Sequence, residues 1–213
     1  MKHIASIRMD YIKGVLHEAD LDHNPFEQFA VWMDQALNSE VPEPTAMAVA
    51  TAALSGRPSV RMALLKGFNN DGFQFFTNYY SRKAQELLAN PQASLLFFWK
   101  ELERQVRIEG SIVKLSEQES DAYFASRPRE SQIGAWVSPQ SQVIESRSVI
   151  ESQMKARTLE FQENTVPRPQ DWGGFLLIPD YFEFWQGRES RLHDRFAYNF
   201  IKNSSWNLCR LAP

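Results

Sequence analysis

The sequence predicts a mainly β fold: an antiparallel β-barrel or closed sheet with peripheral helices. Three observations carry that expectation. From Thr45 onward, apolar residues recur mostly at period two in short runs. Early runs are joined by turn sequences such as SGRP and GFNNDG, which makes neighbouring strands antiparallel. Helical segments fall between some runs without a regular strand–helix–strand alternation, which disfavours a doubly wound parallel sheet.

Taken in order, residues 1–24 are polar and mixed and read as a flexible N-terminal arm, with Arg8 and Tyr11 in an IRMDY run. PFEQFAVWMDQAL (25–37) has helical spacing, with Asn24 as N-cap and Pro25 in the first turn. TAMAVATAAL, SVRMALLK (59–66) and FQFFTN (73–78) read as hairpin-linked strands. Ser81 caps a helix that Pro91 stops. ASLLFFW (93–99) is continuously apolar and is expected to be a strand buried on both faces. RQVRIEGSIVK (104–114) alternates, with Gly110 marking a bulge. Ser116 and Glu119 form a capping box for the next helix. Helices are expected over 131–137 and 144–163, and GFLLI, YFEFW, DRFAYNFI and SWNLCRL close the chain as strands. About eight strands result, in a single domain over 25–213.

The 213 residues, 43% hydrophobic and 13% aromatic, suffice for a substantial core. A net charge of −3 argues against a general nucleic-acid binder. The single cysteine, Cys209, excludes an intramolecular disulfide and fits a reducing compartment. No apolar stretch approaches membrane-spanning length, so the expectation is a cytoplasmic protein without a membrane partner. The four histidines show no metal-ligand spacing, and no metal site is expected.

Four basic clusters carry candidate chemistry. In WQGRESRLHDR (185–195), Arg191, His193 and Arg195 stand two apart, so on a strand they would share one face. They line either an anionic or electron-rich ligand, or a solvated face salt-bridged to Asp194 and Glu189. Ser81, Arg82 and Lys83 open a helix, where free backbone N–H groups favour a phosphate; the alternative is two cations reaching into water. Arg61 and Lys66 end an apolar strand on opposite faces and reach one ligand only past an edge or bulge. Tyr123 and Arg127 lie one helical turn apart with Ser131 beyond, which makes either a second phosphate grip or a packed ring beside a capping arginine. Two phosphate grips without a dinucleotide motif fit a small phosphorylated cofactor and a phosphorylated substrate.

Several longer motifs then stand together: RMALLK, FFTNYYSRKAQEL, ERQVRIEG, YFASRPRESQIGAWVS, PQS, WGGF, FWQGRESRLHDR and the terminal RLAP. From about residue 24 onward the chain closely resembles the pyridoxamine 5′-phosphate oxidase family. The resemblance implies an FMN-binding split barrel, a C-terminal dimerisation segment and a homodimer with FMN at the subunit interface. It implies oxidation of pyridoxine 5′-phosphate or pyridoxamine 5′-phosphate to pyridoxal 5′-phosphate, in vitamin B6 biosynthesis or salvage. A hydride passes from substrate C4′ to flavin N5, and O2 reoxidises the flavin to give H2O2. Carried over by position, Arg61, Met62, Leu65, Lys66, Phe76, Thr77, Arg82, Lys83, Gln105, Gln140, Ser141, Trp185 and Arg195 bind FMN. Lys66, Tyr123, Arg127 and Ser131 bind substrate, Arg191 and His193 pack over its ring as the catalytic pair, and Arg8 and Tyr11 close as a lid. Phe76 departs from the tyrosine frequent in the family. Two other readings stay open: a related split-barrel flavin reductase, and a non-catalytic binder of FMN or pyridoxal phosphate.

Overall fold

The Asn24 side chain accepts a hydrogen bond from the Phe26 N–H, and Pro25 stands in the first turn, so helix α1 runs Pro25–Leu37 as its cap predicts. A computed structural model describes residues 3, 10–162, 164–201 and 205–213. After α1 come strands β1 (Ala46–Ala52), β2 (Pro58–Leu64), β3 (Gly67–Asn69) and β4 (Gly72–Asn78), then helix α2 (Arg82–Ala89). Strands β5 (Gln92–Trp99) and β6 (Arg104–Lys114) lead into a helical lobe of α3 (Glu117–Ser126), α4 (Arg129–Val137) and α5 (Arg147–Phe161). Strands β7 (Trp172–Gln186), β8 (Asp194–Ile201) and β9 (Ser205–Leu211) end the chain.

The result is a curled, mainly β sheet with few helices. Nine strands pair in the order β2-β1-β5-β6-β7-β4-β3, with β8 joining β7 to β9. Every pairing is antiparallel, as the turn sequences require of the hairpins β1–β2 and β3–β4. The long β7 is the spine: it pairs with β6 throughout, with β4 at its start and with β8 at its end.

Three expectations are corrected. GFLLI and YFEFW are one strand, because Pro179–Asp180 is absorbed as a bulge rather than breaking the sheet. The register shifts there between Glu109 and Gly110, and Asp180 has no partner on β6. A Cβ on Gly110 would stand 2.1 Å from the Ile178 carbonyl oxygen, so the close approach requires glycine. The turn GFNNDG contributes the short β3. Finally, β5 is not buried on both faces: its residues alternate, and Phe98 is 50% exposed. Along the outer face, Leu96 sits in register with Ala48 and Met62, leaving an open apolar surface across β2, β1 and β5.

The main core packs Phe29, Trp32 and Met33 of α1 against Phe73, Phe97, Phe182 and Phe184 of the sheet. Leu16 and Leu21, within the segment expected as an arm, are buried in it. A second cluster, of Phe124, Ile133, Val137, Phe161, Val166 and Trp172, holds the helical lobe together. Phe76 and Tyr123 pack against this second cluster, at the seam between lobe and sheet.

Candidate active site

A cleft of about 440 Å³ occupies that seam. Of the predicted site residues, the cleft is lined by Met62, Lys66, Phe76, Thr77, Lys83, Tyr123, Arg127, Ser131 and Gln140, together with Trp172. Strand β4 brings Phe76 and Thr77, the start of α2 brings Lys83, the end of α3 brings Tyr123, and α4 brings Ser131. The WGGF motif makes this possible. A Cβ on Gly173 would stand 2.2 Å from the Tyr79 hydroxyl, and one on Gly174 would stand 2.7 Å from the Phe76 ring. Only glycine lets both rings lie against the backbone of β7. Phe76 stacks on Tyr123 at 3.9 Å and on Trp172 at 5.5 Å, so its ring is used for packing and the missing hydroxyl has no role in that stack.

Arg127 lies over the Trp172 ring, 4.6 Å from its centroid, and over Phe124 at 5.5 Å. Its Nη1 is buried and has no hydrogen-bond partner among the described residues. Burial lowers its pKa, as it raises that of the neighbouring Tyr123 hydroxyl. A partly desolvated guanidinium with one buried donor that no described residue accepts is costly in isolation and is suited to an anion.

At the other side of the cleft, Ser81 caps α2 and accepts from the Ala84 N–H. Lys83 is half-buried and turns to the cleft wall. Its Nζ donates to Thr77 Oγ1 at 2.9 Å and approaches Gln140 Oε1 at 3.4 Å. Burial, with Arg61 nearby, pushes its pKa down to about 8. Arg82 turns away to pair with Glu86 at 2.9 Å. Arg61 lies behind the cleft wall, donating to Thr51 Oγ1 at 2.6 Å and paired with Glu86 at 3.4 Å. Glu86 also accepts from Thr51 and Ser59. Burial opposes its ionisation, yet hydrogen bonds from Ser59, Thr51 and Arg82 pull its pKa down to about 2. Leu65 is buried in the core and Ser141 is exposed with a left-handed backbone, φ 71°.

The remaining predicted residues form a separate group. Gln105, Trp185 and Arg195 lie in one cross-strand row on β6, β7 and β8. Trp185 is eleven residues along β7 from Gly174, the register partner of Phe76, or roughly 35 Å of extended strand. Arg191, His193 and Arg195 do not share a strand face. β8 begins only at Asp194, and Ser190 and Arg191 take left-handed φ values of 56° and 63°. That reversal folds His193 back so that its ring lies 4.5 Å from Trp185. His193 Nδ1 accepts from the Arg188 N–H at 3.1 Å, so the neutral ring carries its proton on Nε2. Burial, then Arg191 and Arg195, push its pKa down. Arg195 pairs at 2.8 Å with Glu183, which also holds Arg107. Tyr11 sets its ring edge against Trp185 and His193, at 5.6 and 5.8 Å. Arg8 lies outside the described residues.

Three carboxylates hold the arginines of these groups: Glu86, Glu183 and Asp194. Asp194, expected as a partner of the 191–195 stretch, pairs with Arg188 and Arg210; sequence reading passed over Glu86 and Glu183, of which only Glu86 leaves a local signal, four residues after Arg82 on one helix face. Among the described residues, no group of three His, Cys, Asp or Glu side chains could hold a metal, and no helix is long and apolar enough to cross a membrane.

Comparison with known proteins identifies the family of the chain. Residues 33–159 match the family described as pyridoxamine 5′-phosphate oxidase. Residues 172–213 match the pyridoxine 5′-phosphate oxidase C-terminal dimerisation region. The chain is 54% identical to a pyridoxine/pyridoxamine 5′-phosphate oxidase of Trichormus variabilis over 99% of this chain and 98% of that one. It is 55% identical to that of Paraburkholderia phymatum over the whole of both chains. Among solved structures, PhzG from Burkholderia lata, in complex with tetrahydrophenazine-1-carboxylic acid, superposes with a TM-score of 0.88. It is 31% identical, over 93% of this chain and 98% of that one. An FMN-binding protein from Nostoc punctiforme, 17% identical over 91% of this chain and all of that one, shares the fold at a TM-score of 0.70. The sheet therefore has the split-barrel fold of that FMN-binding protein, and the chain belongs to the pyridoxine/pyridoxamine 5′-phosphate oxidase family.

Proposed function

We propose that this chain oxidises pyridoxine 5′-phosphate or pyridoxamine 5′-phosphate to pyridoxal 5′-phosphate, with FMN as cofactor and dioxygen as electron acceptor. The observation that carries the reading is the buried, unpartnered Nη1 of Arg127, in one cleft with Tyr123, Ser131 and Lys66. It is a preformed seat for a phosphate.

The donor set also suits FMN. Thr77, Lys83, Gln140 and the N-terminus of α2 fit its phosphate, with Arg61 and Arg82 held close behind by Glu86. When bound, FMN would supply the two-electron chemistry: acceptance of a hydride from substrate C4′, with O2 as the final acceptor giving H2O2. The chain's own residues bind and orient. Arg127, Tyr123 and Ser131 grip the substrate phosphate, and Lys66 adds a cation on the same cleft wall. Arg191 and His193 set the substrate ring, His193 presenting its Nε2–H because Arg188 occupies Nδ1. With pyridoxamine 5′-phosphate, water then hydrolyses the oxidised C4′–N bond and ammonia leaves.

Within one chain the phosphate cleft and the Trp185/His193/Arg195 group are far apart, so the reading requires a homodimer in which each site draws on both copies. The open apolar face supports it: Met62 lines the cleft and lies in the same cross-strand row as Leu96, Arg107 and Glu183. Placing that face against a second copy would bury Val60, Met62 and Phe98 and carry the Arg195 end of one chain toward the cleft of the other.

The test is flavin bleaching. FMN-loaded protein without oxygen is mixed with each phosphorylated substrate, and its visible absorption is followed. Bleaching that recovers in air is expected. An unchanged spectrum with both substrates sinks the proposal. A second reading is favoured by the likeness to PhzG: Arg127 can grip a carboxylate, and a carboxylated, non-phosphorylated substrate would then bleach the flavin while both phosphates stay inert.

A further inference from the structure

We propose that Asp194 is a positioning residue that latches the chain segment around Tyr11–Leu16 over His193 and Trp185, making Tyr11 a wall of the site. The consequence for substrate rests on the function proposed above; the latch itself does not.

Asp194 is the first residue of β8 and follows His193 directly. Its Oδ2 accepts from the Leu16 N–H at 3.2 Å and from Arg188 Nη1 at 2.9 Å, while Oδ1 accepts from Arg210 Nη1 at 3.0 Å. One carboxylate thus ties together the incoming segment, the hairpin connection and β9. Arg188 is the residue whose N–H also fixes His193, so the latch and the imidazole share an anchor. Leu16 is only 5% exposed, which plants the segment in the core just beyond the hydrogen bond.

A second carboxylate acts in the same direction. Glu103 Oε2 accepts from the Lys13 N–H at 2.9 Å, and Lys13 Nζ donates to the Glu101 carbonyl at 2.7 Å. Beside and between the two anchors the fit is close. A Cβ on Gly187 would stand 2.7 Å from Tyr11 Cγ, and one on Gly14 would stand 3.0 Å from the Gln186 side chain. The donors to the two carboxylates are backbone N–H groups, those of Lys13 and Leu16, not side chains. This explains why the segment docks here although its own sequence carries no evident binding motif.

The test uses limited trypsin digestion of the full chain without ligand, following cleavage after Lys13 by mass spectrometry. Cleavage after Arg147, at the start of α5, serves as the internal control. Slow cleavage tracks the population in which the segment has lifted. Asp194→Ala is expected to speed cleavage after Lys13 about ten-fold, the loss of one charge-assisted hydrogen bond, with cleavage after Arg147 unchanged. Asp194→Asn, which keeps one oxygen for Leu16, should fall between. Gly187→Ala evicts the Tyr11 ring without touching the carboxylate and should reproduce the effect even if Asp194→Ala folds poorly. In FMN-loaded protein, both alanine variants should raise the half-saturating substrate concentration while leaving FMN affinity in place. Unchanged cleavage after Lys13 in both variants, or equal acceleration after Lys13 and Arg147, overturns the latch. A wild type that never bleaches overturns only the functional reading.

Discussion

Replacing Arg127 by methionine should separate binding from stability. The side chain is stacked on Trp172 and Phe124 and keeps a buried donor without a partner. An unsatisfied buried donor costs about 1–3 kcal/mol. The stacking it makes on the indole returns about 0.5–2 kcal/mol. Methionine keeps most of the packing and removes the donor, so the ligand-free protein should change by about 1 kcal/mol or less, in either direction. The substrate should respond very differently. Losing a charge-assisted hydrogen bond to phosphate costs about 1.5–3 kcal/mol, or roughly 10- to 150-fold in affinity. Two assays read the two quantities: urea unfolding of the ligand-free protein, and the substrate dependence of anaerobic flavin bleaching. If Arg127→Met unfolds the protein far more easily while substrate half-saturation stays put, Arg127 is a structural strut and the phosphate seat is misassigned.

Lys83 gives a pH dependence. With its pKa pushed down to about 8, it is charged below that pH and neutral above it, so FMN affinity should fall as pH rises through about 8. Titration of FMN between about pH 6.5 and 9.5 should show that fall, and Lys83→Arg should flatten it. In the ligand-free protein the sign reverses: the unfolded chain holds this proton up to the ordinary lysine range, so Lys83 makes folding more favourable as pH rises above about 8. Glu86, pulled down to about 2, contributes stability that is complete above its ordinary range and lost as pH falls toward 2; Glu86→Ala should remove that acid sensitivity and, by freeing Arg61 and Arg82, loosen FMN several-fold. Phe98→Asp puts a charge on the open apolar face, so sedimentation should report monomer, and turnover should vanish while the fold, read by circular dichroism, persists.

Much of the fold was legible because local rules and tertiary structure agree. Asn24–Pro25, the Ser116–Glu119 box and Ser81 cap helices where the sequence says they should. What escaped depends on register. The continuous apolar run of β5 gave no hint that Phe98 faces outward, since an unbroken apolar run has no period to tell which residues the chain itself covers. Tyr123, Arg127 and Ser131 could be read as a group because a helix turn and a short connection place them. Arg191, His193 and Arg195 were misread as a strand row because nothing local announces two consecutive non-glycine residues at positive φ. The role of Glu183 was invisible for a simpler reason: Arg107 and Arg195 reach it from two different neighbouring strands.

The cations of this protein sort by whether a carboxylate stands behind them. Arg61 and Arg82 share Glu86, Arg107 and Arg195 share Glu183, and Arg188 and Arg210 share Asp194. Each pair is fixed in direction and partly neutralised, which suits a residue that must hold a geometry before its ligand arrives. Arg127 and Lys83 are built otherwise: both have their pKa lowered by burial, and among the described residues their side chains meet rings, hydroxyls and an amide, with no carboxylate. A cation kept short of counter-charge in a cleft binds an anion with little to displace, and releases it readily once the anion's charge or fit changes. That division argues that the two ends of the cleft are the places where charge is exchanged with solution, and that Arg61 and Arg82, backed by Glu86, frame the Lys83 end. On this view Arg127→Met and Lys83→Arg should change how ligands bind, whereas Glu86→Ala should change how well the frame is held.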